Sequence, residues 1–95
     1  MTATLFIRHK VSNYGKWKRG YDSLTPFRNE SQVTAASVHR DAHDRTVIIV
    51  THQFKDADAM MKFANSAELK SAMASAGVIG IPEIWFAEDL ERTAY

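Results

Sequence analysis

Thr46-Val47-Ile48-Ile49-Val50-Thr51-His52-Gln53-Phe54 is the stretch on which the fold turns. Its four consecutive β-branched aliphatic residues favour extended backbone. Apolar side chains fall on both parities, so this strand belongs in the middle of a sheet. Upstream, Asp41-Ala42-His43-Asp44 reads as a turn, and Gln32 to Arg40 as a second strand with Val33, Ala35, Ser37 and His39 on one parity. Further back, Thr4 to Val11 sets Leu5, Ile7, His9 and Val11 against Phe6, Arg8 and Lys10, a strand with one drier face.

Between those strands Ser12-Asn13 is a cap pair whose side-chain oxygens can take the first free N–H groups of a helix. Tyr14, Trp17, Tyr21 and Leu24 then recur at spacings of three, four and three, which makes one helical stripe. Gly15 and Gly20 each cost such a helix about 1 kcal/mol relative to Ala. Thr25-Pro26 breaks or re-caps it, so the helix is expected to falter near 25 and end near 30. Downstream of the decisive strand, Asp56 caps a second helix with Ala57, Met60, Met61 and Ala64 on its buried stripe. Asn65-Ser66 marks a break, and Leu69, Ala72, Met73 and Ala76 resume the pattern. Gly77 sits where a left-handed stop is needed, with Val78 expected to fold back on Met73. The last strand is read from Gly80 to Ala87. Pro82 cannot donate to a ladder, which puts this strand at an edge. Asp89 to Tyr95 is a polar tail.

The order is β-α-β-β-α-β. Right-handed crossovers leave the ferredoxin-like arrangement as the simplest: an α+β fold, residues 1–95 as one domain, an antiparallel sheet of order 4-1-3-2 and two helices on one face. The helix-free face then carries Val47, Ile49 and part of the Ile79, Ile81, Ile84, Trp85, Phe86 set. Monomers avoid such a patch, and a second copy would cover it under a two-fold axis. A homodimer through this face is therefore expected.

Composition removes several classes of function. Ninety-five residues leave no room for a second core, and 45% apolar with 24% charged residues is the balance of a folded chain. Without cysteine there is no disulfide, thiolate or iron–sulfur chemistry. The longest apolar run, Val47 to Val50, is too short to span a membrane, and no export signal is visible ahead of the first strand, so a cytoplasmic protein is expected. Residues 1–45 hold eight Lys/Arg against four Asp/Glu, and residues 46–95 four against seven. This asymmetry reads as solvated helix surface or complementary subunit charge, and no nucleic-acid partner is expected. Gly15, Gly20, Gly77 and Gly80 lack the spacing of a phosphate loop, and there is no Gly-x-Ser-x-Gly turn. No cofactor is expected.

The string Tyr14-x-x-Trp17-x-x-x-Tyr21-Asp22, then Arg28, the hairpin Val38-His39-Arg40-Asp41, and Ala76-Gly77-Val78-x-x-x-Pro82-Glu83 resembles small members of the dimeric α+β barrel superfamily. Within it the chain is similar to the antibiotic biosynthesis monooxygenase-like proteins. The resemblance implies two ferredoxin-like sheets packed face to face as one barrel, with a small molecule held between sheet and helices. Activities in that superfamily range over cofactor-free oxygenation of phenolic polyketides, haem degradation, isomerisation and cyclisation, and many members have none known. The haem-degrading branch relies on an Asn, Trp and His set. Here the first strand has no Asn, and Trp17 and Trp85 lie outside the matching second-helix context.

Chemistry, if present, falls to imidazole and aromatic groups. His9 and His39 lie near one end of the expected sheet, about 10 Å apart at two strand spacings. His52 lies toward the other end and His43 in the turn, so three histidines cannot share one metal and no metal site is expected. His9 and His52 each share parity with aliphatic neighbours, and each is either satisfied in the core or lines a cavity. If they face the first helix, Tyr14, Trp17 and Tyr21 stand opposite, either as core or as the wall of a pocket for a flat ligand. Arg28 either supplies a cation at the pocket mouth or lies exposed after the helix. On the pocket reading, His52 and His9 are the catalytic candidates and Tyr14, Trp17, Tyr21 and Arg28 the ligand-binding ones. The expected activity is binding of a small aromatic or polyketide-like molecule, with cofactor-free monooxygenation or cyclase/isomerase chemistry as the enzymatic form. The alternative is a non-enzymatic ligand-binding or structural dimer.

Overall fold

The computed structural model describes residues 1–95. Its elements run β1 (Ala3–Val11), α1 (Tyr14–Ser23), α2 (Thr25–Glu30), β2 (Val33–Arg40), β3 (Val47–Phe54), α3 (Ala57–Ala64), α4 (Ala67–Ser75) and β4 (Val78–Glu88). All neighbouring strands are antiparallel and the sheet order is β2-β3-β1-β4, which is the expected 4-1-3-2 read from the other edge. The β-branched run of β3 is central, and Pro82 lies on an edge strand. The fold is therefore α+β and ferredoxin-like, with each expected helix divided in two. No helix is long and apolar enough to cross a membrane.

The helix breaks come from local chemistry. Asn13 caps α1 by accepting from the Lys16 N–H, Asp56 caps α3 through Ala59, and Ser66 caps α4 through Leu69. Pro26 stands in the first turn of α2, where its missing donor costs nothing. Gly77 has φ +80, the left-handed stop expected of it. Val78 and Met73 are both partly buried against the core. Val78 enters β4 at once and pairs with Val11, so β4 begins at Val78 and not at Gly80.

One face of the sheet meets the helices. Ala3, Leu5, Ile7 and Val11 of β1 and Ile48, Val50 and Phe54 of β3 are buried there with Trp17, Met60, Phe63, Leu69 and Ala76. Two irregularities shift side chains from their expected faces. Between Val33 and Ala35 the pairing with β3 slips by a residue, so Val33, Ala36 and Val38 stand opposite Phe54, His52 and Val50. The single parity expected for Val33, Ala35, Ser37 and His39 is broken at that bulge. A second shift lies between Arg8 and Lys10, where β4 bulges outward and leaves Ile81 95% exposed.

The helix-free face is mixed. Trp85 and Ile79 are half-exposed, and Phe6 and Ile49 are partly covered. Among them Arg8 reaches Glu83 at 2.9 Å and Asp41 at 3.4 Å, and Ser37 bonds both Thr51 and His39.

Candidate functional site

The stripe on α1 lies over the sheet where β1 and β3 present their two inward histidines. Trp17 meets His9 edge-on with ring centroids 5.7 Å apart, and Tyr21 stands 6.1 Å from His52. Trp17 and Tyr21 stack on each other at 5.1 Å. On the far side of His52, Phe63 of α3 closes in at 5.2 Å. Arg28 enters from the last turn of α2. Its guanidinium carbon lies 4.0 Å from the Tyr21 ring centroid, a cation–π contact, and its Nη2 donates to Thr25 Oγ1 at 3.1 Å.

These groups surround a cavity of about 30 Å³. His9, His52, Trp17, Tyr21 and Arg28 line it, with Ile7 and Val50 from the sheet and Leu69, Ala72, Met73 and Ala76 from the α4 side. The space suits a water-sized group. It is far below the few hundred Å³ that a drug-sized ligand occupies.

The polar walls of this cavity are unsatisfied. Both ring nitrogens of His9, both of His52 and Nη1 of Arg28 are buried without a hydrogen-bond partner. Buried polar atoms are paired in most folded proteins, so five orphans around one small space are unusual. Burial lowers the pKa of His9 to about 4, and burial together with the Arg28 charge lowers that of His52 to about 4. Both imidazoles are neutral at pH 7. Desolvation also lowers the Arg28 pKa, opposed by Tyr21 and Asp22.

Five of the six residues singled out from sequence therefore share one cavity. Tyr14 does not line it. That ring stacks on the outer side of Trp17 at 5.9 Å, partly exposed, with the Arg40 guanidinium 5.2 Å from its centroid. His39 lies on the opposite sheet face beside Ser37, and His43 lies in the turn where its N–H donates to Asp41. No three His, Asp or Glu side chains converge to hold a metal ion. Sequence reasoning did not find Thr25, which orients Arg28, or Gly20, which lets α1 approach Ala76. The signal for the cavity's α4 wall was present in the stripe Leu69, Ala72, Met73, Ala76.

The chain matches no protein-family model and no curated protein. Its backbone is similar to solved structures over nearly its whole length. A cofactor-independent oxygenase from Streptomyces nogalater, solved as a variant, superposes with TM-score 0.76 at 15% identity, covering 96% of this chain and 95% of that one. A candidate antibiotic biosynthesis monooxygenase from Caulobacter crescentus gives 0.75 at 18%, covering 95% and 91%. A Nitrosomonas europaea protein of unknown function gives 0.71 at 21%, covering 99% and 94%. At these identities the likeness is one of fold, and the fold is that of the antibiotic biosynthesis monooxygenase-like structures the sequence resembles.

Proposed function

We propose that this chain is a small cytoplasmic protein that works as a homodimer and binds a small aromatic or polyketide-like molecule beneath α1, which it oxygenates without a cofactor. The observation that carries the reading is the set of unpartnered imidazole nitrogens on His9 and His52, faced by Trp17 and Tyr21 across one cavity. The shared fold with a cofactor-independent oxygenase supports the reaction class.

Trp17 and Tyr21 would border the ring as an apolar wall, and His52 or His9 would take the proton that converts the substrate to its electron-rich anion. A neutral imidazole at pH 7 has the free lone pair for this. The anion formed beside it then stabilises the imidazolium and offsets the burial that lowers its pKa. For an anthrone-type substrate the methylene becomes a carbonyl. One oxygen atom of dioxygen stays in the product, and the other leaves as water with the two hydrogens.

Oxygen uptake with anthrone-like or quinol substrates tests this. Uptake in the unmodified protein, lost in His52→Ala while the fold is kept, is the expected result. No turnover across the panel counts against it. A non-enzymatic dimer is the second reading, and the narrowness of the cavity, about 30 Å³, favours it.

A further inference from the structure

We propose that the cavity beneath α1 is an oxyanion site, taking a ligand whose ionised oxygen sits against Nη1 of Arg28 in preference to neutral molecules of the same shape. This rests on the reading that the cavity takes a ligand, and not on oxygenation.

The argument is one of charge. Arg28 is only 7% exposed, yet it belongs to none of the protein's ion pairs. Asp22, the carboxylate whose charge it feels, is turned to Lys18 at the surface. Nη2 is held by Thr25 Oγ1, which in turn donates to the Asp22 carbonyl at 2.8 Å. Nη1 has nothing. A buried cation without a counter-charge is costly, and the Tyr21 ring face offsets only part of that cost. One arm of the fork is used and one is free, so the geometry suits a single oxygen and not a two-oxygen clamp. The imidazole of His52, which feels the Arg28 charge, stands across the same space with both nitrogens free, and its neutral ring can donate one N–H to that oxygen; His9 lies four residues along the sheet, beyond Ile7 and Val50. The volume, about 30 Å³, admits the charged end of a molecule and not its body. A carboxylate, a phenolate and an enolate all present this chemistry.

The test compares isosteres that differ in charge. Formate and formamide are titrated into the full chain, following the Cε1–H resonances of His9 and His52 and the Nε–H of Arg28 by NMR. Formate is expected to shift His52 and Arg28 saturably and His9 little, with formamide at least about 10-fold weaker, and Arg28→Gln to abolish the formate response. As a control that does not depend on the folding of Arg28→Gln, Arg28→Met is also melted with and without formate. Its Tm is expected to equal or exceed that of the unmodified protein and to ignore formate, whereas the unmodified protein's Tm rises with formate. Benzoate against 4-nitrophenolate then identifies the source of the oxygen, carboxylate or phenolate. Equal responses to formate and formamide, or a formate response that persists in Arg28→Gln, overturn the proposal. If naphthalene moves His52 while formate does not, the ligand cavity stands and the oxyanion site falls. If neither moves it, both fall.

Discussion

Gly20 of α1 and Ala76 at the end of α4 meet across the space of a missing side chain: a Cβ on Gly20 would stand 2.7 Å from the Ala76 Cβ and 3.3 Å from its Cα. This approach closes the cavity on its α4 side, since both residues line it. Gly20→Ala adds helix propensity worth about 1 kcal/mol but forces two helices apart, at a cost of about 1–3 kcal/mol. The net expectation is a destabilisation of about 1 kcal/mol, read as a fall in Tm of about 4–8 °C. Ala76→Gly in the same chain should recover part of the loss, with a coupling of about 1 kcal/mol. A Gly20→Ala protein as stable as the original would show that the helices do not need this contact.

The two buried histidines set the acid limb of stability. In the unfolded chain they take up protons below about pH 6.5, whereas in the fold they stay neutral until about pH 4. The unfolded state binds more protons between those values. The stabilisation is therefore complete above pH 6.5 and is lost as the pH falls toward 4. For His52 alone the full shift corresponds to about 3 kcal/mol. Asp41, Asp44 and Asp89, whose pKa values are lowered by hydrogen bonds, act only at more acid pH. Urea midpoints between pH 7.5 and 4.5 should fall steeply, and His52→Phe should flatten the curve. An unchanged slope in that variant would mean that His52 is not buried neutral.

How far each feature was legible in the sequence follows from the range of the forces involved. The central strand, the edge strand and the left-handed stop were readable because Val47 to Val50, Pro82 and Gly77 restrict their own backbone. The bulge after Val33 was not, since it reflects how β2 must pair with β3 while keeping Val38 opposite Val50. The inward faces of His9 and His52 came from strand parity. The burial of Arg28 did not, because it depends on Tyr21 and Thr25 meeting it in space. Parity can say that residues face a common volume, but its size is set by how closely Gly20 lets α1 approach α4.

Asp89 ties the end of β4 to the sheet. Its carboxylate accepts from Thr2 and Thr4 hydroxyls at 2.7 Å each and from Gln53 Nε2 at 3.1 Å. Thr4 is nearly buried, so its hydroxyl is the one left without a partner when the carboxylate goes. Asp89→Ala is expected to cost about 1 kcal/mol. The effect should be local, with faster amide exchange at Ala3, Thr4 and Ala87 and little change at Val50. Exchange that is unaltered at Thr4 would show that the tether is not maintained in solution.

Trp85 is the test of the subunit contact. It pairs with Phe6 on the helix-free face and is 49% exposed in a single chain. Nearby, Arg8 is already engaged by Glu83 and Asp41, so a cation placed at position 85 would meet no free carboxylate of that cluster. If a second copy covers this face, a two-fold axis places Trp85 in the contact from both sides, and each substitution counts twice. Losing the burial of two half-exposed indole rings weakens association by at least about 100-fold. Trp85→Lys should therefore sediment as a monomer at micromolar concentration where the unmodified chain sediments as a dimer. Its helix and strand content should be unchanged, because the exposed half of the ring supports nothing within the protomer. A monomeric unmodified chain, or a Trp85→Lys chain that remains dimeric, would exclude this face as the interface.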